Sequence, residues 1–250
     1  MSKKKKPRRL KRRVRAKTET EKQPASHKYR EGDAVRVKPG TACPGAPDLD
    51  LSRWQGWVTD LTWANDASEP TIGFAWDSIS LRAMPAWFIE DAERDGLDWT
   101  TMYLGLDEVE PAEPRDTEQD VAQVQEEIAA RFGWLGIGPE GERIQAVVNS
   151  AEDNTDEWAV LLAWEEHLTQ NLQFPLEAEV DEFQERGPLQ AGDRLTALGI
   201  EDVDDLYGII VSCRKDRERF HFPLADLAAV DETSPNAQPI QEYRVWFANR

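Results

Sequence analysis

The sequence predicts an α+β chain of two small SH3-like β barrels joined by a helical segment, preceded by a disordered basic tail. Three observations carry this prediction. Short alternations of apolar and polar residues occur at Ala34-Val35-Arg36-Val37 and at Leu176-Glu177-Ala178-Glu179-Val180, the period of strands with one wet face. Between them run stripes at helical spacing, Val121, Val124, Ile128, Phe132 and then Leu161, Trp164, Leu168, Leu172, each stepping by 3, 4 and 4. In front of both, residues 1–30 carry 14 Lys/Arg against Glu19 and Glu21, a self-repelling stretch with almost no apolar content.

Composition sets the limits. A chain of 250 residues accommodates two small domains. Ten Trp and eight Phe argue for folded cores although 31% of residues are charged. The net charge of −18 divides into +12 over residues 1–30 and −30 over the remainder. Cys43 and Cys213 lie far apart with no CxxC pair, which fits a reducing, cytoplasmic setting. The longest apolar run, WAVLLAW (158–164), is too short to span a bilayer, and no apolar segment of a signal peptide follows the basic start.

The elements follow in order. Residues 1–28 form the tail, whose core KKKKPRRLKRRVRAK (3–17) suits a nucleic-acid or other acidic partner through counterion release, or a nuclear address. The plainer alternative is a solvated tail that folds back on the acidic body. Residues 29–114 form the first β unit, with strands at 34–37, QGWVTDLTW (55–63) and TIGFAWDSISL (71–81) around a Pro/Gly/Asp-rich loop (41–50). Pro85 suits the first turn of a helix that ends near Gly96.

Residues 115–250 hold the helices and a second β unit. Thr117 and Asp120 cap the first helix, GWLGIGPEG (133–141) breaks it, and a short helix runs through Ile144, Val147 and Val148. Asn154 with Glu157 starts the longest helix, whose Trp158 and Trp164 are expected to pack on the β unit that follows. Gly192-Asp193 reads as a turn, and Tyr207 to Val211 as entry to a buried central strand. Glu31-Gly32-Asp33-x-Val35 with Gln55-Gly56-x-Val58 matches Ala191-Gly192-Asp193-x-Leu195 with Tyr207-Gly208-x-Ile210, so the two β units are expected to share an outline.

Several chemistries fall away. His27, His167 and His221 are scattered, with no HExxH and no Cys/His ligand cluster for zinc. GIGPEGE (136–142) lacks the Lys-Ser/Thr of a phosphate loop. No GxSxG occurs and no carboxylate pair is singled out, so the chain reads as a non-enzyme.

What remains is acid. Residues 174–232 hold 15 Asp/Glu against six Lys/Arg, and calcium takes six to eight oxygen ligands. No stretch has the EF-hand spacing, so a site must be assembled from separate segments. The best donors are the loop GIEDVDDLYG (199–208), with Glu201, Asp202, Asp204 and Asp205, and the wet face of Glu177, Glu179 and Asp181. Asp226 and the Asp231-Glu232 turn can complete a second site. A solvated acidic face is the competing reading.

Certain strings in the same region carry more specific information. FPLEAEVDEF, GPLQAGDR, DDLYGIIV, FPLADLAAVD and EYRVWFANR together resemble the cyanobacterial CcbP-type calcium-binding protein family over roughly the last 80 residues. The resemblance implies Ca²⁺ binding by a compact β module without an EF-hand. Two functions are thus expected to compete: a calcium buffer or sensor, and an adaptor whose SH3-like barrels and basic tail bind protein or nucleic acid.

Overall fold

The computed structural model describes residues 28–62, 70–182 and 187–250. The basic segment 3–17 and its expected disorder and partners lie outside the described residues, as do Trp63 and Phe183. Among the described residues, no helix is long and apolar enough to cross a membrane.

Two antiparallel five-stranded sheets organise the chain. The first is built from β1 (Ala34–Val37), β4 (Gln55–Thr62), β5 (Thr71–Trp76), β6 (Thr101–Gly105) and β7 (Val109–Pro111), in the order β6-β5-β4-β1-β7. A small two-stranded sheet, β2 (Ala42–Cys43) with β3 (Ala46–Asp50), occupies the stretch expected as a loop. The second large sheet comprises β8 (Leu176–Val180), β9 (Arg194–Asp204), β10 (Gly208–Lys215), β11 (Glu218–Pro223) and β12 (Leu227–Ala229), ordered β11-β10-β9-β8-β12. Six α-helices accompany them among the described residues: α1 (Ser78–Ala83), α2 (Ala86–Asp95), α3 (Glu118–Phe132), α4 (Pro139–Val148), α5 (Glu157–Asn171) and α6 (Ala237–Asn249).

The expected barrels are not closed. Closure requires the two edge strands to hydrogen-bond, and here β6 and β7, like β11 and β12, end at opposite edges of their sheets. Helices bury the apolar faces instead. Leu81, Ile89, Val124 and Phe132 join Val35, Phe74 and Trp76 in one core, while Leu161, Trp164, Leu168, Tyr243 and Trp246 join Ala178, Leu195 and Val211 in the other. The apolar stripe of α3 therefore belongs with the first core, and those of α4, α5 and α6 with the second.

The shared outline is real, but it is offset. Both sheets run as a four-strand meander whose fifth strand returns beside the first. The matched turns are also alike: Asp33 accepts the Arg30 N–H at 2.8 Å, and Asp193 accepts that of Gln190 at 2.9 Å. Gly32 and Gly192 sit at φ +86° and +87°, left-handed backbone that glycine adopts without steric cost. Their amides donate to Val58 and Val180 respectively. The turn thus leads into the first strand of one sheet and the second of the other, and Val58 corresponds to Val180 rather than Ile210.

Local capping explains the remaining differences from the sequence reading. β5 stops at Trp76 because the Asp77 carboxylate accepts the Ser80 N–H and starts α1. Thr117 and Asp120 form the expected reciprocal box, and Gly96 ends α2 in the left-handed region. The cap of α5 is Asp156, not Asn154, since its carboxylate accepts from Trp158 N–H. At 15 residues α5 equals α3 rather than exceeding it. Trp164 is fully buried, as expected, but Trp158 is 43% exposed.

Candidate metal centre

The four clustered carboxylates sit on a hairpin, not in a loop. β9 continues to Asp204 and pairs with β10, matching Asp204 with Gly208, Val203 with Ile209 and Asp202 with Ile210. Pairing resumes at Ile200 with Val211, leaving Glu201 as the extra residue of a bulge. The turn itself is Asp205-Leu206-Tyr207. One oxygen of Asp204 accepts the N–H groups of Leu206 and Tyr207, both at 2.8 Å, so this side chain holds the turn shut. Asp205 lies exposed in this turn, and Glu201 and Asp202 are exposed on the strand that leads into it.

The chain's last helix braces this hairpin. The Tyr243 hydroxyl accepts the N–H of Ile209 at 2.8 Å. Arg250 donates to the Asp205 carbonyl at 3.0 Å, pairs with Glu157 at 2.7 Å and stacks 4.0 Å from the centre of the Phe247 ring. The acidic tip is thereby tied to α6 and to the first turn of α5. These bracing residues went unassigned in the sequence reading, although Ile240, Tyr243 and Trp246/Phe247 recur at helical spacing.

The other predicted donors fall into separate places. Glu177 and Glu179 lie on the open face of β8, where Glu177 accepts from the Thr196 hydroxyl at 2.9 Å and Glu179 pairs with Arg194 at 3.2 Å. Asp181 and Asp226 are brought together, because the Asp181 N–H donates to the Asp226 carbonyl at 2.9 Å. Both line a cavity of about 690 Å³ with Glu182 and Arg244. Arg244 forms an ion pair with Asp181 and donates to the Ala225 carbonyl. Asp231 stands apart from Asp226: its carboxylate accepts the hydroxyl and the N–H of Thr233, and those bonds hold it below the usual carboxylate range. Glu232 instead lines a second cavity beside Asp181 and Arg244.

The donors' chemistry suits a hard cation, being carboxylate oxygen throughout. Their geometry is not a finished cage: among the described residues, no group of three His, Cys, Asp or Glu is arranged to hold a metal ion. The arrangement therefore offers an exposed anionic tip on a braced hairpin, together with a separate acidic pair already facing an arginine.

Residues 142–247 match the family model Calci_bind_CcbP, described as calcium binding. The match reaches from α4 through most of α6, so the resemblance seen in the last 80 residues extends back over the helices of the second core. Two solved structures are also similar. One, described as a calcium-binding protein in the calcium-binding form, is 21% identical, with 44% of this chain and 90% of that chain covered at a TM-score of 0.37. The other, the crystal structure of Anabaena CcbP, is 19% identical, with 44% and 89% covered at the same TM-score. A comparison with curated proteins gives no match.

Proposed function

We propose that the C-terminal part of the chain, the part that matches a calcium-binding family, binds Ca²⁺ reversibly and without catalysis, as a buffer or sensor. The observation that carries this reading is the β9–β10 hairpin, where Glu201, Asp202, Asp204 and Asp205 lead into and form one braced turn. Like charges gathered within five residues of one hairpin repel, and a divalent cation that draws them together turns that repulsion into coordination. Glu201, Asp202 and Asp205 supply side-chain oxygens. Asp204 offers the oxygen that the turn does not use, and backbone carbonyls of the tip can add further donors.

Asp181 and Asp226 form a second, weaker acidic group, because Arg244 already offsets part of their charge. Glu177, Glu179 and Asp231 are left out of the principal site that we propose, since each is engaged by a neighbouring side chain. We further propose two folding units divided after Leu135, since the buried cores run from Tyr29 to Leu135 and from Ile144 to Trp246. Each unit is a variation on the SH3-like strand order, and buried free cysteines suit a reducing, cytoplasmic setting.

Calorimetric titration of the full chain tests the site. Asp202→Asn with Asp204→Asn keeps an oxygen at position 204 for the turn while removing two charges. It should weaken Ca²⁺ binding at least tenfold, about 1.4 kcal/mol. An unchanged isotherm in the folded double variant would remove the hairpin from the site.

A further inference from the structure

We propose that the apolar groove between α2 and β6 is the docking site of the chain's own basic segment, residues 3–17. This inference is independent of the calcium reading and concerns the first sheet only. The groove encloses about 590 Å³, and among the described residues no Lys or Arg lines it. Three of its large apolar side chains stand open to solvent: Trp87 at 46%, Leu97 at 62% and Tyr103 at 51% exposure.

The charge around these rings has one sign. Trp87, Asp91 and Asp95 follow one another at steps of four residues, so an indole and two carboxylates share one face of α2. Asp95 closes the helix, where the negative end of the dipole disfavours a carboxylate and a cation would relieve it. Asp98 comes next. Burial opposes its ionisation, but hydrogen bonds from Thr100 and Thr101 outweigh that effect and hold it below the usual carboxylate range. The nearby Arg94 meets Asp91 only at 3.7 Å and is also engaged with Glu90 and Glu142. Aromatic faces edged by carboxylates recognise guanidinium and ammonium groups through cation–π attraction and ion pairing together.

The sequence supplies the complementary ligand. Residues 3–17 contain 11 Lys/Arg with Leu10 and Val14 placed among them, which gives cations for the rim and two apolar side chains for the floor. Ten residues, 18–27, separate this segment from the described structure, and extended they span about 33–36 Å. The described chain begins just before β1, and β6 lies three strands from β1 in the sheet, about 14–15 Å at the spacing of neighbouring strands, so the tether can reach it. Tethering also raises the effective concentration to the millimolar range, which favours the chain's own segment over a partner's basic peptide.

Zero-length carbodiimide crosslinking of the full chain, read on the monomer fraction at low salt, tests this. Lysines of residues 3–17 should link to Asp91, Asp95 and Asp98 in preference to Glu201–Asp205. Trp87→Ala or, separately, Leu97→Ser should lower those links at least threefold, as should raised salt. Links spread evenly over the acidic surface, centred on the β9–β10 tip or unchanged in both variants would overturn the proposal. Links confined to dimers would assign the groove to a second copy's segment and would likewise overturn it.

Discussion

The Tyr243 hydroxyl accepts the buried N–H of Ile209 at 2.8 Å, and the same ring lies against Gly208. This contact joins two of the strings that carry the family resemblance, DDLYGIIV and EYRVWFANR. Gly208 has φ +70°, and a Cβ there would fall 2.2 Å from the Tyr243 oxygen and 2.4 Å from Phe247. Side chains of α6 thus pack against the hairpin where a side chain at position 208 would otherwise stand.

Tyr243→Phe should therefore destabilise the protein by about 1–3 kcal/mol, the cost of leaving a buried N–H unpaired. Gly208→Ala should cost at least as much, because it combines backbone strain with overlap against two rings. Urea denaturation of each variant checks the pair. A Tyr243→Phe variant as stable as the parent would mean that the hydroxyl does not hold the hairpin.

Much of this was legible in the sequence, and the exceptions have physical causes. The β8 alternation, the Thr117 cap and the Gly96 stop are local signals that tertiary packing left intact. The end of β5 was missed because Asp77 caps a helix directly after a strand run, where periodicity alone cannot mark the switch. Barrel closure was overestimated because strand patterns show which face is buried but not whether helices or a second edge cover it. The dispersal of the predicted ligands is a long-range matter. Asp231 is engaged by Thr233 two residues away, whereas Asp181 meets Arg244 across 63 residues of chain.

Stability should fall in mildly acidic solution through His167. Burial lowers its pKa, and Glu242 opposes this only in part. The unfolded chain thus binds a proton more readily below pH 6.5, so the contribution present above that value is lost as pH falls through it. Denaturation at pH 7.5 and 5.5 should show a drop that His167→Gln reduces. An equal drop in the variant would assign the effect to other groups.

Both thiols should be inert in the native state. Cys43 and Cys213 are buried, and burial pushes the Cys213 thiol up to about 11. A thiol-reactive chromophore at pH 8 should label neither residue until denaturant is added. Rapid native labelling of Cys213 would indicate a more open second core than the structure has, and rapid labelling of Cys43 a more open first core.

Calcium should stabilise the fold more than magnesium does. An ion that binds only the folded form at 100 times its dissociation constant adds about 2.7 kcal/mol. Magnesium gives up its water reluctantly and demands stricter geometry. The melting temperature should rise by several degrees between chelator and millimolar calcium, and by less with magnesium. Equal shifts would indicate general charge screening.

The most direct measurement is a residue-resolved calcium titration of the full chain, following backbone amide signals. Saturable shifts should centre on Gly199–Gly208, with smaller ones at Glu157 and Arg250, the residues that brace the tip. Shifts that never saturate, or that spread over every acidic surface and fade with added salt, would contradict a calcium site on this hairpin.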